Sequence, residues 1–119
     1  MSEINLFRNA TDTLSLDPGA AVFKQGDPGD VMYAVVEGSV DIVLDDHVLE
    51  TVNAGGIVGE MALIDDGPRS ASAIASTPAR LARVGEREFM FLVQEHPTFA
   101  LQVMRILAER IRHANDAST

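Results

Sequence analysis

Through most of the chain, apolar residues fall in short runs broken by Gly, Pro, Asp and Asn, the pattern of many short strands. Leu14-Ser15-Leu16 leads into Asp17-Pro18-Gly19, and Ala21-Val22-Phe23 leads into Gln25-Gly26-Asp27-Pro28-Gly29-Asp30, each a strand followed by turn residues. Val31 to Val36 is apolar at both alternate positions and includes Tyr33, which predicts a strand covered on both faces. Val40 to Leu44 alternates with Asp41 and predicts a half-exposed strand, with Gly38 at the break between the two. Further strands are predicted at Val48 to Val52, Ala71 to Ala75 and Arg80 to Val84, giving about eight at the spacing of a sandwich or barrel. The expected fold is mainly β, an eight-stranded, jelly-roll-like β-roll (a double-stranded β-helix) over about residues 12–85, with C-terminal helices after it.

Near Gly85 the period becomes helical. Glu86-Arg87-Glu88 places acids in a first turn, where they complement the helix dipole, and this helix is predicted to run to about His96. Pro97 suits the start of a second helix, on which Phe99, Val103, Ile106 and Arg110 share one narrow sector with Leu107 at its edge. An arginine thus continues an apolar stripe. Its stem can cover the core while its head reaches water, or it can serve a site. A second apolar face, Leu101, Met104 and Ile111, reads as core packing. The helices are expected over about 86–115, with the polar tail Ala114 to Thr119 fraying.

The 119 residues fit one domain spanning 1–119, and with 46% apolar but only 5% aromatic residues and no Trp, its core rests on aliphatic side chains. Cysteine is absent, which excludes disulfides, thiolate metal sites and cysteine nucleophiles. The opening Met1-Ser2-Glu3-Ile4 has no signal-peptide character and no apolar run is long enough for a membrane span, so the cytoplasm is the expected location. A net charge of −9 argues against nucleic acid or an anionic membrane as a partner, so any anionic ligand must be held by local design.

One segment stands apart, Gly59-Glu60-Met61-Ala62-Leu63-Ile64-Asp65-Asp66-Gly67-Pro68-Arg69-Ser70-Ala71-Ser72-Ala73. Glu60 to Ile64 is a good helix former, too short for an independent helix and placed directly after a glycine, so one helical turn is predicted. Its start exposes unpaired N–H groups, and Gly59 lets a ligand approach. Asp66-Gly67-Pro68 is predicted to reverse the chain and bring Arg69 back to that start, where a guanidinium can grip two phosphate oxygens. Ser70 adds a hydroxyl donor. Glu60 beside a phosphate calls for a different task, and a ribose hydroxyl is the natural donor to its carboxylate.

Gly59-Glu60-Met61-Ala62-Leu63 followed by Pro68-Arg69-Ser70-Ala71-Ser72 resembles the phosphate-binding cassette of the cyclic nucleotide-binding domain family. The early turn Gln25 to Asp30, then Met32-Tyr33 and Glu37-Gly38, extend the likeness over nearly the whole chain. The resemblance implies that Glu60 binds the ribose 2′-hydroxyl, Arg69 the cyclic phosphate, and Ser70 the phosphate or the base. It implies that backbone amides near Ala62 and Ala71 complete the cradle, with Met61 among the site residues. Val58 and Leu81 are the apolar candidates under the base, and Arg110 the candidate lid residue. The implied ligand is 3′,5′-cyclic AMP, with cyclic GMP as the alternative, and no catalytic cofactor is implied.

The expected function is a non-enzymatic sensor whose last helix closes over the ligand, acting on a separate protein effector or within a longer chain. A monomer or weak homodimer through that helix is expected. Two other readings stand beside it. One is a protein-interaction or scaffold domain that keeps the fold without sensing a nucleotide. The other is a β-roll metalloenzyme, disfavoured because His47, His96 and His113 are scattered and Asp65-Asp66 before Gly67-Pro68 reads as turn chemistry.

Overall fold

The computed structural model describes residues 4, 6–7, 9–65 and 67–118, with side chains at all of these but 65 and 114–118. Eight strands come first: β1 (Thr13–Leu16), β2 (Ala21–Phe23), β3 (Val31–Glu37), β4 (Ser39–Leu44), β5 (His47–Asn53), β6 (Ile57–Val58), β7 (Ser72–Ala75) and β8 (Ala79–Gly85). A short helix α1 (Met61–Asp65) interrupts them after β6, and α2 (Glu86–Glu95) and α3 (Pro97–Ser118) follow. The strands form two four-stranded sheets, ordered β1-β8-β3-β6 and β2-β7-β4-β5, with every pairing antiparallel. The result is the open two-sheet β-roll with C-terminal helices that the pattern predicts.

Strand alternation explains how one sheet serves two cores. On β3, Tyr33 and Val35 point between the sheets and join Val40, Val52, Val58 and Leu81, while Met32 and Ala34 point the other way. That second side meets Phe99, Val103 and Ile106 of α3 and Leu92 of α2. β8 divides in the same way, with Leu81 inward and Ala82 and Val84 beneath the helices. The two-sided apolar run at Val31 to Val36 is therefore the strand sandwiched between sheet and helices. Phe99 anchors the helical side, its ring edge-on to those of Phe7 and Phe89 at centroid distances of 5.9 and 5.6 Å.

Turns fix the register. Asp45 and Asp46, both at positive φ, form the two-residue connection from β4 to β5, the geometry that matches strand twist in a tight hairpin. Gly38 sits at φ +81°, and a Cβ there would lie 2.1 Å from the Pro78 carbonyl oxygen, so only glycine fits between β3 and β4.

Four expectations change. β6 has no counterpart in the predicted strands. α3 continues to Ser118 where it was expected to end near 115, so the segment Ala114 to Ser118 is helical and Thr119 lies outside the described residues. Asp66 of the predicted turn and Met1 to Glu3 also lie outside them. Leu101, Met104 and Ile111 are exposed, because the helix turns only its Phe99–Val103–Ile106 sector to the sheet, and the core-packing reading of that face is corrected. No helix among the described residues is long and apolar enough to cross a membrane.

Candidate functional site

Arg69 decides the geometry. It is 6% exposed, and Nη1 donates to the Gly59 carbonyl at 3.0 Å while Nη2 donates to the Val31 carbonyl at 2.7 Å. Its guanidinium carbon lies 4.1 Å from the centre of the Phe23 ring, a cation–π contact. Nε is buried without a hydrogen-bond partner. Burial depresses the proton affinity of Arg69, an effect opposed by the nearby Tyr33, Asp30, Asp27 and Glu60. Among the described residues no carboxylate forms an ion pair with it. A desolvated guanidinium with spare donors and no counter-ion has a strong affinity for an oxyanion.

The early turn holds this arginine in place. The Arg69 amide donates to the Asp27 carbonyl at 2.8 Å, the Gly26 amide donates back to the Arg69 carbonyl at 2.8 Å, and the Gln25 amide donates to Ser72 Oγ at 2.9 Å. Gly29 leaves room for the guanidinium, since a Cβ there would collide with Arg69 Nε and Cζ. The turn residues Gln25 to Asp30 and the cassette thus form one unit, though they are distant in the chain.

Glu60 is 5% exposed and follows Gly59, whose φ of +76° and tight approach to Arg69 Nη1 exclude a side chain. Its carboxylate is met by Arg110 of α3, whose Nη1 bonds Glu60 Oε1. Arg110 Nη2 donates to the Ile57 carbonyl at 2.6 Å, and Nε donates to both Glu50 oxygens at 3.0 and 3.3 Å. The arginine at the end of the apolar stripe therefore reaches the site, where three groups of the roll receive it.

Between these groups lies a hollow open to solvent. Gly59, Glu60, Met61, Ala62 and Val58 line one side, and Arg69, Ser70, Ala71 and Arg110 line another. The family model of the cyclic nucleotide-binding domain matches residues 13–96. The chain belongs to that family.

Relatives of this cyclic nucleotide-binding domain include the cAMP-dependent protein kinase regulatory subunit of Colletotrichum orbiculare, 36% identical over 87 residues. A cyclic nucleotide-gated potassium channel of Rhizobium etli is 37% identical over 92 residues. These matches cover 71% and 77% of this chain but only 22% and 26% of the relatives, so the chain spans about a quarter of their length. Among solved structures, the catabolite activator protein of Thermus thermophilus superposes with a TM-score of 0.75 at 31% identity, over 87% of this chain and 51% of that one.

Two sequence expectations are placed differently within the domain. Leu81 is wholly buried between the sheets and does not line the hollow, because β3 separates its strand β8 from β6, which carries Val58. The Ala62 amide is not free, since it donates to the Gly59 carbonyl at 3.3 Å. Four lining residues were not predicted: Phe23, Ile42, Glu50 and Pro68. Glu50 had only an ambiguous signal, a single acid among the strand residues Val48 to Val52 that does not show which way it points. Phe23 had none, because its role depends on a partner 46 positions away, at Arg69, that only the fold brings near.

Proposed function

We propose that this domain is a regulatory sensor that binds a 3′,5′-cyclic nucleotide, cyclic AMP ahead of cyclic GMP, in the hollow between the cassette and α3. The observation that carries the reading is the buried Arg69 cation, which has unused donors and no carboxylate partner. The cyclic phosphate takes those donors, with Ser70 beside it. The ribose 2′-hydroxyl donates to Glu60, and the base lies towards Val58 and Ile42. Arg110 carries α3 over the ligand, and the equilibrium between open and closed positions of α3 shifts according to the nucleotide's differential affinity for them. No role as an enzyme is proposed. The output passes to a separate effector protein in the cytoplasm or to a further part of a longer chain.

The test is direct. Purified protein is denatured and the released small molecules are identified by mass spectrometry, and stripped, refolded protein is titrated calorimetrically with cyclic AMP. Arg69→Ala should weaken binding by about 10- to 150-fold, the equivalent of roughly 1.5–3 kcal/mol for a hydrogen bond to a charged group, with an unchanged circular dichroism spectrum. Unaltered affinity would contradict the assignment and favour an interaction domain that binds no nucleotide.

A further inference from the structure

Glu50 occupies an inward position on β5. Its neighbours Leu49 and Thr51 are exposed, whereas Val52, two residues on and facing the same way, is 4% exposed and belongs to the core between the sheets. Its side chain is 37% exposed, so the carboxylate sits at the rim of that core and not within it. The strand is also irregular here. Ile42 pairs with Glu50, but the next residue of β4, Val43, pairs with Val48, so Leu49 is left over as a bulge beside Glu50. Bulges re-aim neighbouring side chains and gather next to functional sites.

The order of charged groups along the hollow is fixed by their contacts. Arg69 is bonded to the Gly59 carbonyl, Glu60 follows Gly59, Arg110 bridges Glu60 to Glu50, and Ile42 stands opposite Glu50 on the adjacent strand. A nucleotide with its phosphate on Arg69 and its ribose at Glu60 extends its base towards Glu50. There it meets an acceptor-only carboxylate beside a donor-only guanidinium.

We propose that Glu50 is a specificity-determining residue: with Arg110 it reads the edge of the base, accepting a hydrogen bond from the 6-amino group of adenine and selecting against guanine. This rests on the hollow being a cyclic nucleotide site. The 6-amino donor of adenine is flanked by acceptors at N1 and N7, so an acceptor beside a donor matches it from either side. Guanine carries an acceptor at position 6. Its N7 flank presents two acceptors, which a carboxylate repels, and its N1 flank fits the pair only with the partners exchanged, N1–H on Glu50 and O6 on Arg110. Sites built from hydrogen-bonding groups discriminate strongly because the wrong ligand leaves them unpaired.

A purely structural role, in which Glu50 only anchors Arg110 and α3, would affect all nucleotides alike. Calorimetric titration of wild type and Glu50→Gln with cyclic AMP, cyclic IMP and cyclic GMP separates the two roles. Cyclic IMP replaces the 6-amino group by an oxo group without adding a 2-amino group. Wild type should bind cyclic AMP at least about tenfold tighter than cyclic IMP or cyclic GMP. Glu50→Gln, whose amide can donate as well as accept, should bring cyclic AMP and cyclic IMP within about threefold. The proposal is overturned if wild type binds cyclic IMP or cyclic GMP as tightly as cyclic AMP, a result that stands even if the variant does not fold. It is equally overturned if Glu50→Gln lowers all three affinities by one factor. Absence of binding by any of the three removes the nucleotide reading itself, and the role of Glu50 with it.

Discussion

Gly29 bears no side chain because Arg69 fills the space beside it. A Cβ there would lie 2.6 Å from Ala62 Cβ, 2.8 Å from Arg69 Nε and 2.9 Å from its Cζ. Its backbone is not in the left-handed region, so the constraint is purely one of space. Gly29→Ala should therefore push the guanidinium out of its seat at an overpacking cost of about 1–3 kcal/mol. The expected outcome is weaker cyclic AMP binding by calorimetry together with a lower denaturation midpoint, and an unchanged affinity would show that the seat is soft. At this scale the cassette was legible because Glu60, Arg69 and Ser70 lie in one continuous stretch whose chemistry is odd for a strand protein. Glu50 was not picked out, since a single acid on a strand reads as solvent-facing until the register shows which way it points.

Helix α3 is tied to the roll by two different means. Phe99, Val103 and Ile106 bury one sector against β3 and β8, and Arg110, one turn beyond Ile106, spends its donors on Glu50, Glu60 and the Ile57 carbonyl. The apolar part sets where the helix lies, and the polar part connects its position to the site. Arg110→Ala should leave folding intact but speed nucleotide release, with a smaller loss of affinity than Arg69→Ala. Stopped-flow displacement of a fluorescent cyclic nucleotide checks this, and an identical dissociation rate would take Arg110 out of the lid role. The stripe was legible from helical periodicity. β6 was not, because Ile57 and Val58 are too few to show a period, and each faces a different core. The exposed Leu101, Met104 and Ile111 were misread because sequence shows that a helix has two apolar faces and not which of them a neighbour covers.

Over the molecule as a whole, the hollow draws on both sheets and on α3, so a bound nucleotide joins elements that otherwise meet through separate cores. Ligand that binds only the folded chain should stabilise it by about 2.7 kcal/mol at 100 times its dissociation constant. For a chain of this size that corresponds to a rise of roughly 10 °C in Tm, readable by scanning calorimetry. A shift below about 2 °C at such saturation would mean that the ligand binds the unfolded chain as well. The two-sheet architecture was visible in the punctuation of the sequence, whereas the pairing order was not, because β1-β8 and β2-β7 join the ends of the roll and no local pattern encodes a partner so distant. The seating of Arg69 has a last implication. Its backbone is braced by Asp27 and its head by Val31 and Gly59, so the anion grip belongs to the tertiary framework. Residues 59–70 grafted onto a foreign scaffold would import the fingerprint while leaving behind the Asp27 and Val31 struts that help to aim it.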